Sequence, residues 1–235
     1  MSKAKNIPGY LVTLTVVIAA GYVLSNMFSE YLFQPWTRDG HVRAQIIKIT
    51  PRVSGPIVDL PIHDNQKVQK GDLLFRIDPR TYELAVEQAE AKLKQAQASE
   101  LVKQDQATRG QELYKKDRGA ISQQALVRKK NDLLVARANV QVAQSNLDKA
   151  RLDLEFTEVR APVDGYVTNL LLRYGSQTVA NQPALALIDS DSFWVHGYFK
   201  ETQVEYIRKD NKAVIKLMTY PDAPLEGVVD SMGWG

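Results

Sequence analysis

The sequence predicts an α+β protein of several domains, and three observations along its 235 residues lead to this fold class. An uncharged stretch lies near the N-terminus, over 7–28. Large apolar side chains recur every seven residues through 126–154, which is typical of a coiled coil. Two similar β-rich segments, 45–78 and 158–189, flank the helical part. We therefore expect a duplicated β module that is interrupted by a helical hairpin.

The composition excludes several classes of protein. Because the chain has no cysteine, it cannot contain disulfides, cysteine-ligated zinc, a thiol nucleophile or a lipid-modified N-terminal cysteine. The formal net charge of +3 is too small to indicate a nucleic-acid partner, since basic and acidic residues are mixed throughout. We expect no nucleic-acid binding.

The uncharged stretch over 7–28 is predicted to be a transmembrane anchor. As a helix it is long enough to cross about 30 Å of hydrocarbon. A cleavable signal peptide would have a shorter apolar run that ends at small residues, whereas this run continues beyond Gly21. Since Lys3 and Lys5 precede the stretch, residues 1–6 are predicted to be cytoplasmic and the rest of the chain to lie outside the cytosol.

The segments 45–78 and 158–189 are interpreted as two copies of one strand–turn–strand unit. In each copy a glycine before a short strand is followed by a valine, Val68 after thirteen residues or Val179 after fourteen. An Ile-Asp pair ends ten residues beyond each valine. Neither copy has enough apolar surface to be stable alone, so the two are expected to pack face to face as a small sandwich.

Residues 79–157 are predicted to form an antiparallel coiled-coil hairpin, because the charged link over 115–120 is too short for a parallel return. Gly119 in this link can end a helix. Each arm holds about 35 residues, so the hairpin reaches roughly 50 Å at 1.5 Å per residue. A compact bundle would need a third apolar helix, which the sequence does not contain. The seam residues are Val86, Ala89 and Leu93 on the first arm and Leu126, Leu133, Val140, Leu147 and Leu154 on the second.

No catalytic residue, metal site or cofactor is predicted. His41, His63 and His196 lie on different segments, and no two of them have the spacing of metal ligands on a helix. The chain also lacks a nucleophile elbow and a phosphate-binding glycine-rich loop.

The C-terminal segment is predicted to contain three short strands, over 193–199, 213–218 and 225–232. A helical turn is expected over 201–207, and the proline-containing stretch 221–224 is expected to separate the last two strands. Three strands do not close a barrel.

The arrangement as a whole resembles the HlyD family of membrane fusion proteins, the periplasmic adaptors of tripartite efflux pumps. The motifs that carry the resemblance are TPRVSG at 50–55, DNQKV at 64–68, KGDLL at 70–74, IDP at 77–79 and RAPVDG at 160–165. The resemblance implies that the sandwich is a lipoyl/biotinyl-like domain and that a β-barrel domain begins near residue 190. With its short hairpin, its uncleaved anchor and PWTRDG at 35–40, the chain is most similar to the p-hydroxybenzoate (aromatic carboxylate) efflux adaptors.

These considerations give the expected domain boundaries. They are a cytoplasmic N-terminus (1–6), an anchor (7–28), a linker with a first barrel-side segment (29–44), the two lipoyl-like halves (45–78 and 158–189), the hairpin (79–157) and a barrel domain (190–235) that is incomplete at Gly235.

The hairpin tip is the best candidate for a functional surface. Beyond Ala96 the seam of the first arm is expected to weaken, since 103–110 would bury little. The resemblance implies that Arg109, Leu113 and Ser122 contact the mouth of an outer-membrane channel, although the step from Leu113 to Ser122 is longer than the family pattern. In the alternative interpretation, Leu113 and Ile121 close the end of the coil and Ser122 only caps the second helix.

The resemblance implies a non-enzymatic adaptor in the inner membrane, with most of the chain in the periplasm. Its implied partners are an inner-membrane exporter, an outer-membrane channel of the TolC type and further copies of itself, as a trimer or hexamer. Two alternatives are an adaptor for type I protein secretion, whose hairpins are usually longer, and an anchored structural coiled-coil protein without a transporter. A lipoyl-type carrier role is disfavoured because the helical insertion occupies the turn that would bear the modified lysine.

Overall fold

The computed structural model describes residues 7–33 and 35–233. The chain divides into two compact units, Met1–Arg43 with Trp194–Gly235 and Ala44–Phe193. In chain order the elements are α1 (Ile7–Phe33), β1 (Gly40–Arg43), β2 (Ile46–Ile49), β3 (Gly55–Asp59), β4 (Lys67–Val68), β5 (Leu73–Ile77), α2 (Arg80–Lys116), α3 (Gln123–Glu155), β6 (Glu158–Arg160), β7 (Gly165–Thr168), β8 (Gln177–Thr178), β9 (Leu185–Asp189), β10 (Trp194–Gly197), α4 (Glu201–Val204), β11 (Lys212–Leu217) and β12 (Tyr220–Val228). The predicted α+β fold class is confirmed, with a helical hairpin inserted into a β-sandwich.

The first helix, α1, covers the stretch 7–28 that is predicted to span a membrane. Within the residues that the structure describes, no helix is both long and apolar enough to cross a membrane. The anchor is therefore not confirmed, and the predicted cytoplasmic segment 1–6 lies outside the described residues.

The β-sandwich consists of two four-stranded antiparallel sheets. The strand order is β2-β9-β7-β4 in one sheet and β6-β5-β3-β8 in the other. Each sheet thus takes two strands from each copy of the duplicated unit, rather than forming from one copy alone. Strands of two to five residues are too short to make a stable sheet within one copy, so strands of one copy pair with strands of the other. The core between the sheets includes Ile57, Leu74, Phe75, Val167 and Leu187, all almost completely buried.

The register of the internal repeat differs from the predicted one. Val68 and Thr178 are both buried at the ends of equivalent short strands, whereas Val179 is 47% exposed. The residue equivalent to Val68 is therefore Thr178. The Thr178 hydroxyl donates a hydrogen bond to the Gly55 carbonyl oxygen at 2.9 Å, so a polar residue can occupy this buried position.

The hairpin begins directly after β5. Asp78 provides a hydrogen-bond acceptor for the first turn of α2. Its carboxylate accepts a hydrogen bond from the backbone N–H of Arg80 at 3.1 Å. Asp117, in an extended conformation, ends α2, so the glycine expected to end this helix, Gly119, lies within the turn instead. The second helix, α3, returns antiparallel along α2 and leads into β6.

The prediction that the α2 seam decays beyond Ala96 is wrong. Ala107 and Gly110 are buried against α3, and Glu100 and Lys103, which lie between Ala96 and Ala107, are half-buried. Glu100 forms an ion pair with Arg137 at 3.2 Å, and Lys103 pairs with Asp132 at 3.7 Å. Small residues and interhelical ion pairs therefore continue the seam where large apolar residues are missing.

The smaller unit contains two two-stranded antiparallel sheets. One pairs β1 with β10, and the other pairs β11 with β12. The stretch 221–224, predicted to separate two strands, lies inside β12, and the turn falls at Met218 and Thr219. The ladder is irregular between Ile215 and Leu217, opposite this stretch, so Pro221 and Pro224 lie where backbone N–H donors are not needed.

Candidate functional site

The tip of the hairpin presents a small exposed surface on the last turns of α2. Arg109 and Leu113 are one helical turn apart, so they lie on the same face. Together with Glu112 and Lys116 they line a shallow depression of about 210 Å³. Leu113 is 51% exposed and therefore does little to close the end of the coil.

An ion pair within α2 orients the Arg109 side chain. Its guanidinium donates from Nε to Asp105 Oδ1 at 3.0 Å, and its terminal nitrogen lies 2.9 Å from Asp105 Oδ2. Both side chains are more than half exposed, so the pair adds little stability. It places a cationic group beside Leu113, near the end of α2.

Ser122 has a different position from the other two predicted tip residues. Its hydroxyl oxygen accepts a hydrogen bond from the backbone N–H of Ala125 at 3.1 Å and caps α3. It does not line the depression beside Arg109 and Leu113. The structure therefore brings two of the three residues onto one surface and assigns the third a capping contact.

The remaining predicted residues lie along the seam between α2 and α3. Ala89, Leu126 and Leu147 are buried, and Val86, Leu93, Leu133, Val140 and Leu154 are half-buried. An ion pair between Glu90 and Arg151, at 2.8 Å, joins the two helices near their base. The seam keeps the tip residues at a fixed distance from the sandwich.

Side chains at the base of the hairpin attach it to the sandwich. The Tyr82 hydroxyl donates a hydrogen bond to the Ser54 carbonyl oxygen at 2.7 Å. The Arg52 guanidinium lies 4.5 Å from the centre of the Phe156 ring, within cation–π range. The buried Thr157 accepts, through its carbonyl oxygen, a 2.8 Å hydrogen bond from the Ile77 backbone N–H. These contacts set the direction in which the hairpin leaves the sandwich, and sequence patterns gave no signal for them.

Two carboxylates at this base are held in their charged form. The hydrogen bond from Arg80 lowers the pKa of Asp78. The hydrogen bond from Arg160 lowers the pKa of Glu158, and Arg76 adds to the effect. Glu158, but not Asp78, lines a depression of about 610 Å³ whose lining carries both positive and negative side chains.

Two of the three histidines, which are far apart in sequence, meet in the smaller unit. His41 and His196 are direct cross-strand partners between β1 and β10. His41 Nε2 lies 2.9 Å from Asp39 Oδ1, and the His196 ring stacks on Tyr198 at 4.8 Å. Among the described residues, no group of three or more histidine or acidic side chains could hold a metal ion.

Comparison with known proteins gives one family match and several related structures. Residues 45–190 match the family described as RND MFP, barrel-sandwich hybrid domain. The uncharacterised protein YdhJ of Escherichia coli is 40% identical over 221 residues, which cover 93% of this chain and 76% of that protein.

Two solved structures share the fold. A membrane fusion protein from Streptococcus pneumoniae superposes with a TM-score of 0.60 at 17% identity, over 83% of this chain and 82% of that chain. A putative efflux transporter from Bacteroides eggerthii superposes with a TM-score of 0.56 at 21% identity, over 83% of this chain and 60% of that chain. At these identities the likeness establishes the fold alone, and this chain spans only 60% of the Bacteroides eggerthii chain.

Proposed function

Since the chain belongs to the membrane fusion protein family, the non-enzymatic periplasmic adaptors of tripartite efflux systems, we propose that it links an inner-membrane exporter to an outer-membrane channel of the TolC type. In this proposal the hairpin makes the link, with Arg109 and Leu113 docking on the channel. The adaptor works as a homo-oligomer, a trimer or a hexamer.

The observation that carries the proposal is a stiff arm with an exposed tip. The helices α2 and α3 hold 37 and 33 residues, so the arm is roughly 50 Å long. Its base is tied to the sandwich through Tyr82 and Thr157, and interhelical ion pairs brace its length. Such an arm can bring the cation of Arg109 and the exposed Leu113 to a partner far from the sandwich.

The proposed location is the inner membrane, with residues 7–28 as a single span and the rest in the periplasm. The uncharged character of 7–28 and the two lysines before it support this part of the proposal. A reporter enzyme that is active only in the periplasm, fused after Gly235, is expected to be active. Alkaline carbonate should leave the full chain in the membrane pellet, and release of the chain would contradict the anchor.

The proposed substrates are aromatic carboxylates. The PWTRDG stretch and the short hairpin, through their resemblance to p-hydroxybenzoate efflux adaptors, support this choice. Deletion of the gene is expected to lower the concentration of p-hydroxybenzoate that arrests growth, and the wild-type gene should restore it. Unchanged tolerance to aromatic acids, with increased sensitivity to other compounds, would contradict the proposed substrate class but would still support the proposed adaptor role.

Site-specific crosslinking tests docking at the tip. Because the chain has no cysteine, a single Leu113→Cys change provides one attachment point without disturbing the cap at Ser122. In intact cells a cysteine-reactive photocrosslinker at this position is expected to capture an outer-membrane channel protein. Leu84→Cys is the matched control, because Leu84 is also exposed on α2 but lies near the hairpin base. Equal capture from both positions, or capture only of inner-membrane proteins, would contradict docking at the tip.

A further inference from the structure

Two histidines of the smaller unit project from the same face of one antiparallel ladder. His41 on β1 is the direct cross-strand partner of His196 on β10. Side chains of directly paired residues point to the same face of a sheet, with Cβ atoms roughly 4.5 to 5.5 Å apart. Both residues are exposed, so neither imidazole packs in a core. At this separation two imidazoles can reach one ion between them, since each metal–nitrogen bond is about 2 Å long.

A carboxylate orients the first of the two imidazoles. His41 Nε2 lies 2.9 Å from Asp39 Oδ1. A carboxylate only accepts hydrogen bonds, so Nε2 carries the donated proton and the lone pair on Nδ1 of the neutral ring is free. Histidines that bind metal ions almost always donate their other ring N–H to a carboxylate, a carbonyl or water. Asp39 therefore supports His41 as a ligand instead of binding the ion itself.

The second imidazole inclines towards the same end of the ladder. The His196 ring stacks on Tyr198 with ring centres 4.8 Å apart, and the His41 ring meets the same tyrosine edge-on at 6.0 Å. Tyr198 lies across the ladder from Asp39, since its N–H donates to the Asp39 carbonyl oxygen at 2.9 Å. Both imidazoles therefore lean away from the cation of Arg43, which is the next residue of β1 on this face.

The chemistry of the two ligands decides which ion fits. Imidazole nitrogen suits Cu²⁺, Ni²⁺ and Zn²⁺, whereas Mg²⁺ and Ca²⁺ require several oxygen ligands. Because the chain supplies two ligands, water fills the other coordination positions, as in open metal sites. This agrees with the finding that, in the part of the chain that the structure describes, no group of three or more histidine or acidic side chains could hold a metal ion.

We propose that His41 and His196 bind one divalent transition-metal ion, Cu²⁺, Ni²⁺ or Zn²⁺, with Asp39 as the positioning residue for His41. The ion joins β1, which precedes the sandwich in the chain, to β10, which follows it. These strands have four residues each, and a two-stranded sheet of this size is marginal in water. The ion stabilises the ladder because it binds the paired strands and not the separated ones. The inference does not depend on the proposed adaptor function.

Metal titration of the full chain, purified in detergent without a histidine tag, tests the site. Isothermal titration calorimetry with Ni²⁺ is expected to give one ion per chain, and His41→Ala and His196→Ala should each abolish this binding. His63→Ala is the matched control, because His63 is the third histidine of the chain and lies in the turn before β4. This control should bind like the wild type.

Three results of the titration would overturn the proposal. They are unchanged binding by the His41 and His196 variants, loss of binding in His63→Ala alone, and half an ion per chain. The last result would mean that two copies share one ion. Circular dichroism of the metal-free variants establishes that their folds are intact, which is expected because both side chains are exposed.

The variant Asp39→Asn separates positioning from metal binding. Loss of a carboxylate that orients a metal ligand typically weakens affinity by about 10- to 100-fold, so we expect a loss of about 10-fold at this exposed position. Pulsed electron paramagnetic resonance of bound Cu²⁺ should detect two imidazoles in both the wild type and Asp39→Asn. Loss of one imidazole from the spectrum, or unchanged affinity, would contradict the role of Asp39.

Hydrogen exchange measures the effect on the ladder in the wild-type chain, so no variant has to fold. At a Ni²⁺ concentration about ten times the Kd, opening of the β1–β10 ladder should become about 10-fold rarer, and its amides should exchange correspondingly more slowly. The β11–β12 ladder of the same unit is the internal control and should not change. Equal slowing in both ladders, or none in β1 and β10, would overturn the proposed bridge.

Discussion

At the scale of single residues, two glycines allow the sandwich strands to approach closely. Gly55 and Gly165 occupy equivalent positions at the start of β3 and β7. A Cβ atom at Gly165 would lie 2.2 Å from the Ile188 carbonyl oxygen on β9, and one at Gly55 would lie 2.6 Å from the Ile77 side chain. The duplicated glycine therefore reflects a packing requirement in both copies.

Gly165→Ala is expected to destabilise the sandwich by about 2 kcal/mol or more, because the added carbon meets a backbone atom that cannot move aside. Gly40→Ala is a matched control in a strand, since its Cβ would make an ordinary 3.6 Å contact with Val195. Urea unfolding followed by circular dichroism measures both. Equal stability of the two variants would show that β7 and β9 can separate locally without cost.

Single residues also show where sequence patterns succeed. Ser122 was recognisable as an N-cap, because a serine before an amphipathic run offers an oxygen to the first free N–H groups. The pairing of His41 with His196 was not recognisable, because local sequence patterns do not indicate which distant strands pair with each other. The equivalence of Val68 with Thr178 was missed because an apolar residue, Val179, stands beside the true position.

At the scale of elements, the hairpin depends on a seam that mixes apolar, small and charged residues. The seven-residue repeat of α3 was clear in the sequence because its large side chains recur without interruption. On α2 the same seam passes through Glu100, Lys103 and Gly110, which a search for apolar periodicity discards. A Cβ atom added at Gly110 would lie 2.9 Å from the Lys129 side chain, so the absence of a side chain at this position leaves room for the Lys129 stem. A search for apolar periodicity therefore underestimates the length of a seam that interhelical ion pairs continue.

Leu147→Ala is expected to reduce the free energy of unfolding by about 2 kcal/mol or more, because Leu147 is only 3% exposed and its removal leaves a cavity between the helices. Leu113→Ala should change the free energy by no more than about 0.5 kcal/mol, since Leu113 is half exposed at the tip. Loss of helical circular dichroism with urea compares the two variants. A stability loss at Leu113 as large as that at Leu147 would mean that Leu113 closes the coil instead of serving the tip surface.

At the scale of the whole molecule, the two units differ in how much apolar surface they bury. The sandwich contains a continuous buried core. In the described part of the smaller unit, Ile207 is the only apolar residue that is buried. The sheet formed by β11 and β12 has two strands, and isolated sheets of this size are marginal in water.

Backbone amides of β11 and β12 are therefore expected to exchange hydrogen at least about 100-fold faster than those of β5 and β9, a difference of roughly 2.7 kcal/mol in the free energy of opening. Hydrogen exchange with mass spectrometry on the full chain measures this directly. Equal protection in both units would show that the smaller unit gains its stability from contacts with other copies or with a partner.

The sequence predicted the architecture at this scale better than the connectivity. The order of split β module, hairpin and further strands follows from composition and periodicity, which are local properties. The exchange of strands between the two halves depends on long-range pairing, such as that of Lys67 with Tyr166, which short strands do not specify. At the candidate site, Arg109 and Leu113 were indicated by the family resemblance, and only their common face follows from helical spacing. The base contacts of Tyr82 and Arg52 depend on the completed fold.

The hairpin leaves and re-enters the sandwich through two adjacent strands, since β5 precedes α2, β6 follows α3, and β5 pairs with β6. The sandwich sheet is therefore continuous beneath the arm, because β5 and β6 pair directly with each other. Removing or adding one heptad in each helix would alter the reach of the arm by about 10 Å and leave the hydrogen bonds below unchanged. The length of the arm can therefore change without a change in the strand pairing of the sandwich that carries it.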